Sequence, residues 1–218
     1  IPASLVGSEM CIRDSLETME KKQYSGTSLN SRISSATFIN NETLLVNRSC
    51  ARGAGSSGTV DCYTLYGLNV VTGKREALIQ AKQTSSGQGV RYPSLFDVMP
   101  QYPNKIIITM NRMPQFPWRF RDLYWLDLET KRTTKIAEVP DIKNEWHQQW
   151  LIDHEGNARG FVTNHDDRKD REPNGPRDGL YTYVYLMDPE TKKYERMAAC
   201  KHQEPCFMPL TFDFDNRM

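Results

Sequence analysis

Four cysteines carry the clearest chemistry in this sequence, and they fall into two local pairs. Cys50 and Cys62 bracket "CARGAGSSGTVDC", and Cys200 and Cys206 bracket "CKHQEPC". An even number of cysteines flanking loops predicts two short-range disulfides, Cys50–Cys62 and Cys200–Cys206, in an oxidising compartment. Each would stabilise by about 2–3 kcal/mol through loop-closure entropy. The competing reading is four free thiols in a cytoplasmic protein. Cys11 stands alone, far from the others. A zinc site does not fit, because C-x₂-C spacing is absent and His147, His154, His165 and His202 show no ligand-like pairing.

Other reactive-looking residues lack the context that chemistry needs. "AGSSG" at 54–58 nearly imitates a G-x-S-x-G nucleophile elbow, but its first residue is wrong and no strand-to-helix turn surrounds it. "GQG" at 87–89 has no following helix to receive a phosphate. Asp166 and Asp167, in "HDDRKDREPNGPRDG" at 165–179, are two adjacent carboxylates without the further oxygens that a calcium ion requires. That run reads as a solvated loop of mixed charge. Asn41 and Asn47 match the glycosylation sequon, yet read better as a turn residue and a polar strand residue. Trp118, Trp125, Trp146 and Trp150 read as core-packing aromatics, with a ligand-binding aromatic groove as the alternative. No catalytic constellation emerges, and no cofactor or metal is called for.

The elements that position these residues follow from composition and repetition. The chain has 218 residues, 38% hydrophobic and 25% charged, with a net charge of +1. No basic stripe suggests nucleic acid, and no window approaches the roughly 20 apolar residues of a membrane span. Short aromatic and β-branched runs, punctuated by Gly, Pro, Asn and Asp, predict an all-β protein.

One unit recurs. "LYGLNVVTGKREAL", "LYWLDLETKRTTKI" and "YVYLMDPETKKYERM" each place an Asn or Asp after an apolar strand, then Thr, then Gly or Lys, then a second strand. The anchors are Asn69, Asp127 and Asp188, a period near 60 residues. Such an anchor bonds its own backbone two residues on, and Gly73, Lys131 or Lys192 closes the turn. Pro189 suits an early turn position. A second hairpin type alternates with the first. It turns at Asn40-Asn41, at Pro103-Asn104 and at Glu155-Gly156-Asn157, and begins again near Asp215-Asn216. Two hairpins per period make four antiparallel strands, the composition of a β-propeller blade. The expected architecture is a partial β-propeller over 35–218, with blades near 35–81, 94–139 and 146–200 and a fourth starting near 208. Loops are expected at 50–62, 81–93, 113–121 and 165–179. A β-sandwich is the competing fold, but it leaves the alternation of hairpin types unexplained.

The N-terminal "SLVGSEMCIRDS" resembles a translated sequencing adaptor, so residues 1–15 are expected to be artefactual or disordered and to pack on nothing. Residues 16–34 are then expected to be a lead-in segment, with a strand of a preceding blade as one form it can take. Since "LTFDFDNRM" stops in mid-pattern, the chain reads as an internal fragment of a longer protein.

The segments "LYWLDLETKRTTKIAEVP", "WLIDHEGNARGFVTN" and "PLTFDFDNRM" resemble the N-terminal propeller of prolyl oligopeptidase family serine peptidases, in the dipeptidyl and acylaminoacyl peptidase branch. Asp153, Gly156 and Arg159 fall on that family's "D-x-x-G-x-x-R" turn. "SATFINNETLLVNR" is similar to its "W-x-x-D-x-x-L-L-V" segment, with Phe38 for Trp and Asn41 for Asp. Lys131 and Lys192 depart from its "D-x-x-T-G-K" hairpin. The resemblance implies a propeller that gates peptide substrates, a C-terminal α/β-hydrolase domain holding the catalytic Ser, Asp and His beyond Met218, and export to the periplasm or outside the cell. The alternative is a non-catalytic propeller that serves as a binding or scaffold module of the bacterial envelope.

Overall fold

The computed structural model describes residues 10–14, 21–25, 31–50, 64–80, 82–83, 90–91, 93–112, 121–166 and 179–201. Among them there are strands and turns and no helix. Three four-stranded antiparallel sheets follow one another along the chain. The first is built from β3 (Ser31–Phe38), β4 (Thr43–Cys50), β5 (Leu65–Asn69) and β6 (Arg75–Ile79). The second comprises β9 (Pro93–Val98), β10 (Lys105–Asn111), β11 (Arg121–Asp127) and β12 (Thr133–Ala137). The third comprises β13 (Glu145–Ile152), β14 (Ala158–Asp166), β15 (Leu180–Met187) and β16 (Tyr194–Lys201). In each, every strand is bonded to its neighbours in sequence. This up-and-down order, repeated three times, is the blade pattern of a β-propeller. Leu65–Ile79 and Tyr183–Ala199 lie in different sheets, as separate blades require. The fourth blade, expected from 208, lies outside the described residues, as do residues 113–120 and all of 51–63.

Two smaller pairs complete the set. β1 (Met10–Asp14) pairs with β2 (Lys21–Ser25), and β7 (Lys82–Gln83) pairs with β8 (Val90–Arg91). The expectation that residues 1–15 pack on nothing therefore does not hold for Met10–Asp14. The two extended segments satisfy each other's N–H and C=O groups. The partner is β2 and no blade strand. Likewise the expected loop at 81–93 contains the short β7–β8 ladder, and His165 and Asp166 of the expected loop at 165–179 belong to β14, in register with Tyr181 and Leu180.

By its contacts the chain divides into two compact units, residues 1–108 with 126–132, and residues 109–125 with 133–218. In the first unit the period of two sorts side chains onto sheet faces. Leu44 and Val46 on β4 meet Leu68 on β5 and Val70, with Ile33, Ala36, Phe38 and Tyr66 around them. In the second unit Leu151, Val162 and Val184 form one face of the third sheet, backed by Leu186 and Ala198. Its opposite face is aromatic. Phe161 stacks on Tyr185 at 4.8 Å and meets Tyr194 edge-on at 4.9 Å and Trp150 edge-on at 5.8 Å. Trp150 is 1% exposed and donates its indole N–H to the Arg121 carbonyl at 2.7 Å, which satisfies its one polar atom. Trp125 and Trp146 are half-buried, while Trp118 lies outside the described residues.

Candidate functional site

The hairpin anchors behave as their residue types dictate. Asn69 Oδ1 accepts from the amides of Val71 (3.0 Å) and Thr72 (2.8 Å). Asp127 Oδ1 accepts from those of Glu129 (3.1 Å) and Thr130 (2.7 Å). Asp188 Oδ1 accepts from those of Glu190 (2.8 Å) and Thr191 (2.7 Å). These bonds, the Thr amide first in each case, hold the carboxyls of Asp127 and Asp188 below the usual range. The fourth loop residue must then turn left-handed. Gly73 does so at φ 74°, and Lys131 and Lys192 do so at 58° and 57°. The two lysines thus occupy a conformation that a Cβ disfavours.

Lys131 does more than close its turn. Its Nζ lies 2.8 Å from Oε2 of Glu76, on β6. This hydrogen bond is the main reason the Glu76 carboxyl titrates below its ordinary value. Lys131 is half-exposed and also paired.

The D-x-x-G-x-x-R segment has a physical basis. Asp153 Oδ1 accepts from the amides of Glu155 (3.0 Å) and Asn157 (2.8 Å), and Oδ2 from the side-chain amide of Asn157 (3.1 Å). Gly156 takes φ 83°. Arg159 Nε lies 3.8 Å from Oδ2. The Asp organises the turn, the Gly permits it, and the Arg partly offsets the buried charge.

That turn borders a cleft of about 370 Å³. Ile136 and Ala137 of β12 form one wall, and Met187 and Tyr194 supply further apolar surface. Asn157, Arg159 and Lys192 bring polar groups to it, and no carboxylate lines it. Burial raises the Tyr194 phenol above its ordinary value.

Three further groups lie in the second unit, and sequence reasoning missed each of them. Glu145 is 7% exposed; it accepts from Thr163 Oγ1 at 2.6 Å and Tyr185 Oη at 2.9 Å. Burial and that carboxylate push the Tyr185 phenol upward. Asp122, buried at the start of β11, receives Arg112 in a two-pronged contact of 3.1 and 2.6 Å and the amide of Val139 at 3.1 Å. Arg112 also donates to the Val139 carbonyl at 2.7 Å, so the pair clasps the strap after β12 to its own sheet. His147 is 5% exposed, lies 5.1 Å from the Trp150 ring, and has both ring nitrogens buried without a hydrogen-bond partner. Burial, helped by the charge of Arg121, lowers its pKa to about 3, so the ring is neutral.

Of the cysteine pairs expected to be bridged, Cys50 ends β4 and Cys200 lies on β16 opposite Thr182. Cys62 and Cys206 lie outside the described residues, as do "AGSSG", "GQG" and Asp167. Asp166 is a buried strand residue. Among the described residues no group of three or more His, Cys, Asp or Glu is arranged to hold a metal, and no helix is long and apolar enough to cross a membrane. Asn40, beside the sequon Asn41, is the residue that caps its turn, accepting from Glu42 at 3.0 Å and Thr43 at 2.7 Å.

Three successive four-stranded meanders, each closed by an Asx-anchored hairpin, define an all-β protein of propeller-blade construction. No family model matches the sequence, and no curated protein sequence matches it. Among solved structures the chain is similar to TolB from Acinetobacter baumannii, at 13% identity and a TM-score of 0.40, covering 87% of this chain and 37% of that one. It is similar to an oligogalacturonate lyase from Vibrio parahaemolyticus, at 12% identity and a TM-score of 0.34, covering 90% and 61%. An oligogalacturonate lyase in complex with manganese gives 13% identity and a TM-score of 0.31, covering 89% and 60%. The chain therefore spans 37–61% of the length of these structures. At such distances the fold class rests on the sheets themselves.

Proposed function

We propose that this chain belongs to the substrate-gating propeller of an exported serine peptidase of the prolyl oligopeptidase type. Catalysis would reside in a C-terminal α/β-hydrolase domain outside these 218 residues, acting on peptides admitted past the propeller. The observation that carries the reading is the alternation of two hairpin types, one anchored at Asn69, Asp127 and Asp188 and the other closing on the Asp153, Gly156 and Arg159 turn. Both resemble that family's blade motifs. Disulfides Cys50–Cys62 and Cys200–Cys206 form part of the same proposal and agree with export. Function follows the site and not the fold, so the test must reach the parent protein. Parent and chain are expressed side by side and assayed on peptide amides. Hydrolysis by the parent alone supports the reading. A parent gene that ends after its blades, with no hydrolase domain, refutes it.

A second reading, a non-catalytic propeller that binds a ligand or partner in the bacterial envelope, is favoured by the cation-lined cleft beside Arg159 and Lys192.

A further inference from the structure

The repeat contains one broken ion pair, and the break lies at a cleft. Lys131 sits four residues after its anchor Asp127 and reaches Glu76, itself seven residues after the anchor Asn69. Lys192 sits four residues after its anchor Asp188, in the same left-handed conformation, at φ 57° against 58°. Its counterpart of Glu76, seven residues after Asp127, is Thr134. The carboxylate is gone while the lysine remains. Among the described residues Lys192 makes no ion-pair contact with a carboxylate, and its charge acts only electrostatically on Asp188 of its own turn. The lysine instead lines the 370 Å³ cleft against β12, the strand that carries Thr134.

The rest of the cleft fits an anion with an apolar body. Arg159 adds a second cation, a guanidinium held only at 3.8 Å by Asp153, whose own oxygens are already engaged by the Glu155 and Asn157 turn. Asn157 holds the turn in place, its side-chain amide donating to Asp153 Oδ2 at 3.1 Å and to Glu155 Oε2 at 3.2 Å, so the two cations carry the recognition of the anion. Ile136, Met187 and Tyr194 present apolar and aromatic surface. A cleft of this size falls within the volume range of small-molecule sites, and its lining is polar and apolar in about equal measure, as an amphiphilic anion requires. We propose that this cleft binds a small organic acid, its carboxylate replacing the missing Glu side chain at Lys192 and Arg159 and its body lying on Ile136, Met187 and Tyr194. The proposal is independent of the peptidase reading.

The test uses the full chain, calorimetric titration and 4-phenylbutyrate as probe, with 4-phenylbutyramide as its uncharged analogue. The carboxylate is expected to bind with a Kd of about 1 mM or tighter. The amide is expected to bind at least about tenfold more weakly, since a hydrogen bond to a charged group is worth roughly a factor of ten or more. Lys192→Gln should cost a similar factor. Thr134→Glu, which restores the repeat's own carboxylate, should compete internally and cost the same, whereas Thr134→Gln should not. An unchanged melting transition for Thr134→Glu separates competition from unfolding, and weakening of wild-type binding by salt gives a readout that needs no variant. Equal binding of acid and amide, no binding of the acid at 10-fold above about 1 mM, or undiminished binding by Thr134→Glu would overturn the proposal.

Discussion

Tyr185 and Glu145 are 40 residues apart in sequence, yet the Tyr185 hydroxyl donates to Glu145 Oε1 at 2.9 Å inside the third sheet. With Thr163 on the other oxygen, a buried carboxylate is satisfied from two neighbouring strands. Removing one donor leaves a buried acceptor short. Tyr185→Phe and Thr163→Val are each expected to cost about 1–3 kcal/mol in urea denaturation. The double variant should cost measurably less or more than the sum, because the two donors share one carboxylate. Strict additivity would mean that they act independently.

The left-handed loop residues predict opposite responses to similar changes. Gly73→Ala places a Cβ at φ 74° and should cost about 1 kcal/mol. Lys192→Gly relieves the same strain at 57° and should gain about 0.5 kcal/mol after the extra freedom of glycine in the unfolded chain is deducted. Thermal melting of the two variants checks both signs. Lys131→Gly should gain less, because it also gives up the exposed pair with Glu76.

Acid stability should depend on His147. Its folded pKa, about 3, lies below the unfolded value near 6.5. The unfolded chain therefore binds the proton first. Stability from this group is intact above about pH 6.5 and falls toward pH 3, by at most about 1.4 kcal/mol per pH unit. The groups facing it are Trp150, Phe161 and the positive charge of Arg121, so nothing on the ring's surroundings favours the charged form. His147→Leu should flatten the wild-type loss between pH 6.5 and 4, measured by denaturant titration at each pH. An unchanged slope would show that His147 is not buried neutral.

Gly160 predicts a steric limit. A Cβ there would run into the backbone carbonyl of Tyr185 and come within 2.9 Å of Leu186 Cδ2. Gly67 would meet only the side chain of Leu78, at 3.2 Å. Gly160→Ala should cost upwards of about 2 kcal/mol and Gly67→Ala clearly less, because a side chain yields where a backbone does not. Equal melting temperatures would contradict this packing.

What the sequence made legible was local. Asn69, Asp127 and Asp188 act on amides two and three residues away, so their turns are written in four consecutive letters, and the left-handed lysines follow from counting onward. Trp150, read as a core-packing aromatic from its residue type, is buried, whereas Trp125 and Trp146, read the same way, are only half-buried. Contacts that join distant residues left no such trace. Nothing beside Glu145 announces Tyr185 and Thr163, and nothing beside Arg112 announces Asp122 and the Val139 strap. His147 looked like an idle histidine because its isolation comes from neighbours on other strands. The cleft was half-readable. Aligning the repeat on its anchors exposes Thr134 where Glu76 stood, but only the folded chain shows that Lys192 then borders open space.

The peptidase reading is tested most directly by treating the purified parent protein with a fluorophosphonate and mapping the modified residue by mass spectrometry. The account predicts one labelled serine, outside these 218 residues, in a G-x-S-x-G turn between a strand and a helix, with peptide-amide hydrolysis lost in step with labelling. A parent protein that carries no reactive serine, or one labelled within this chain, would contradict it.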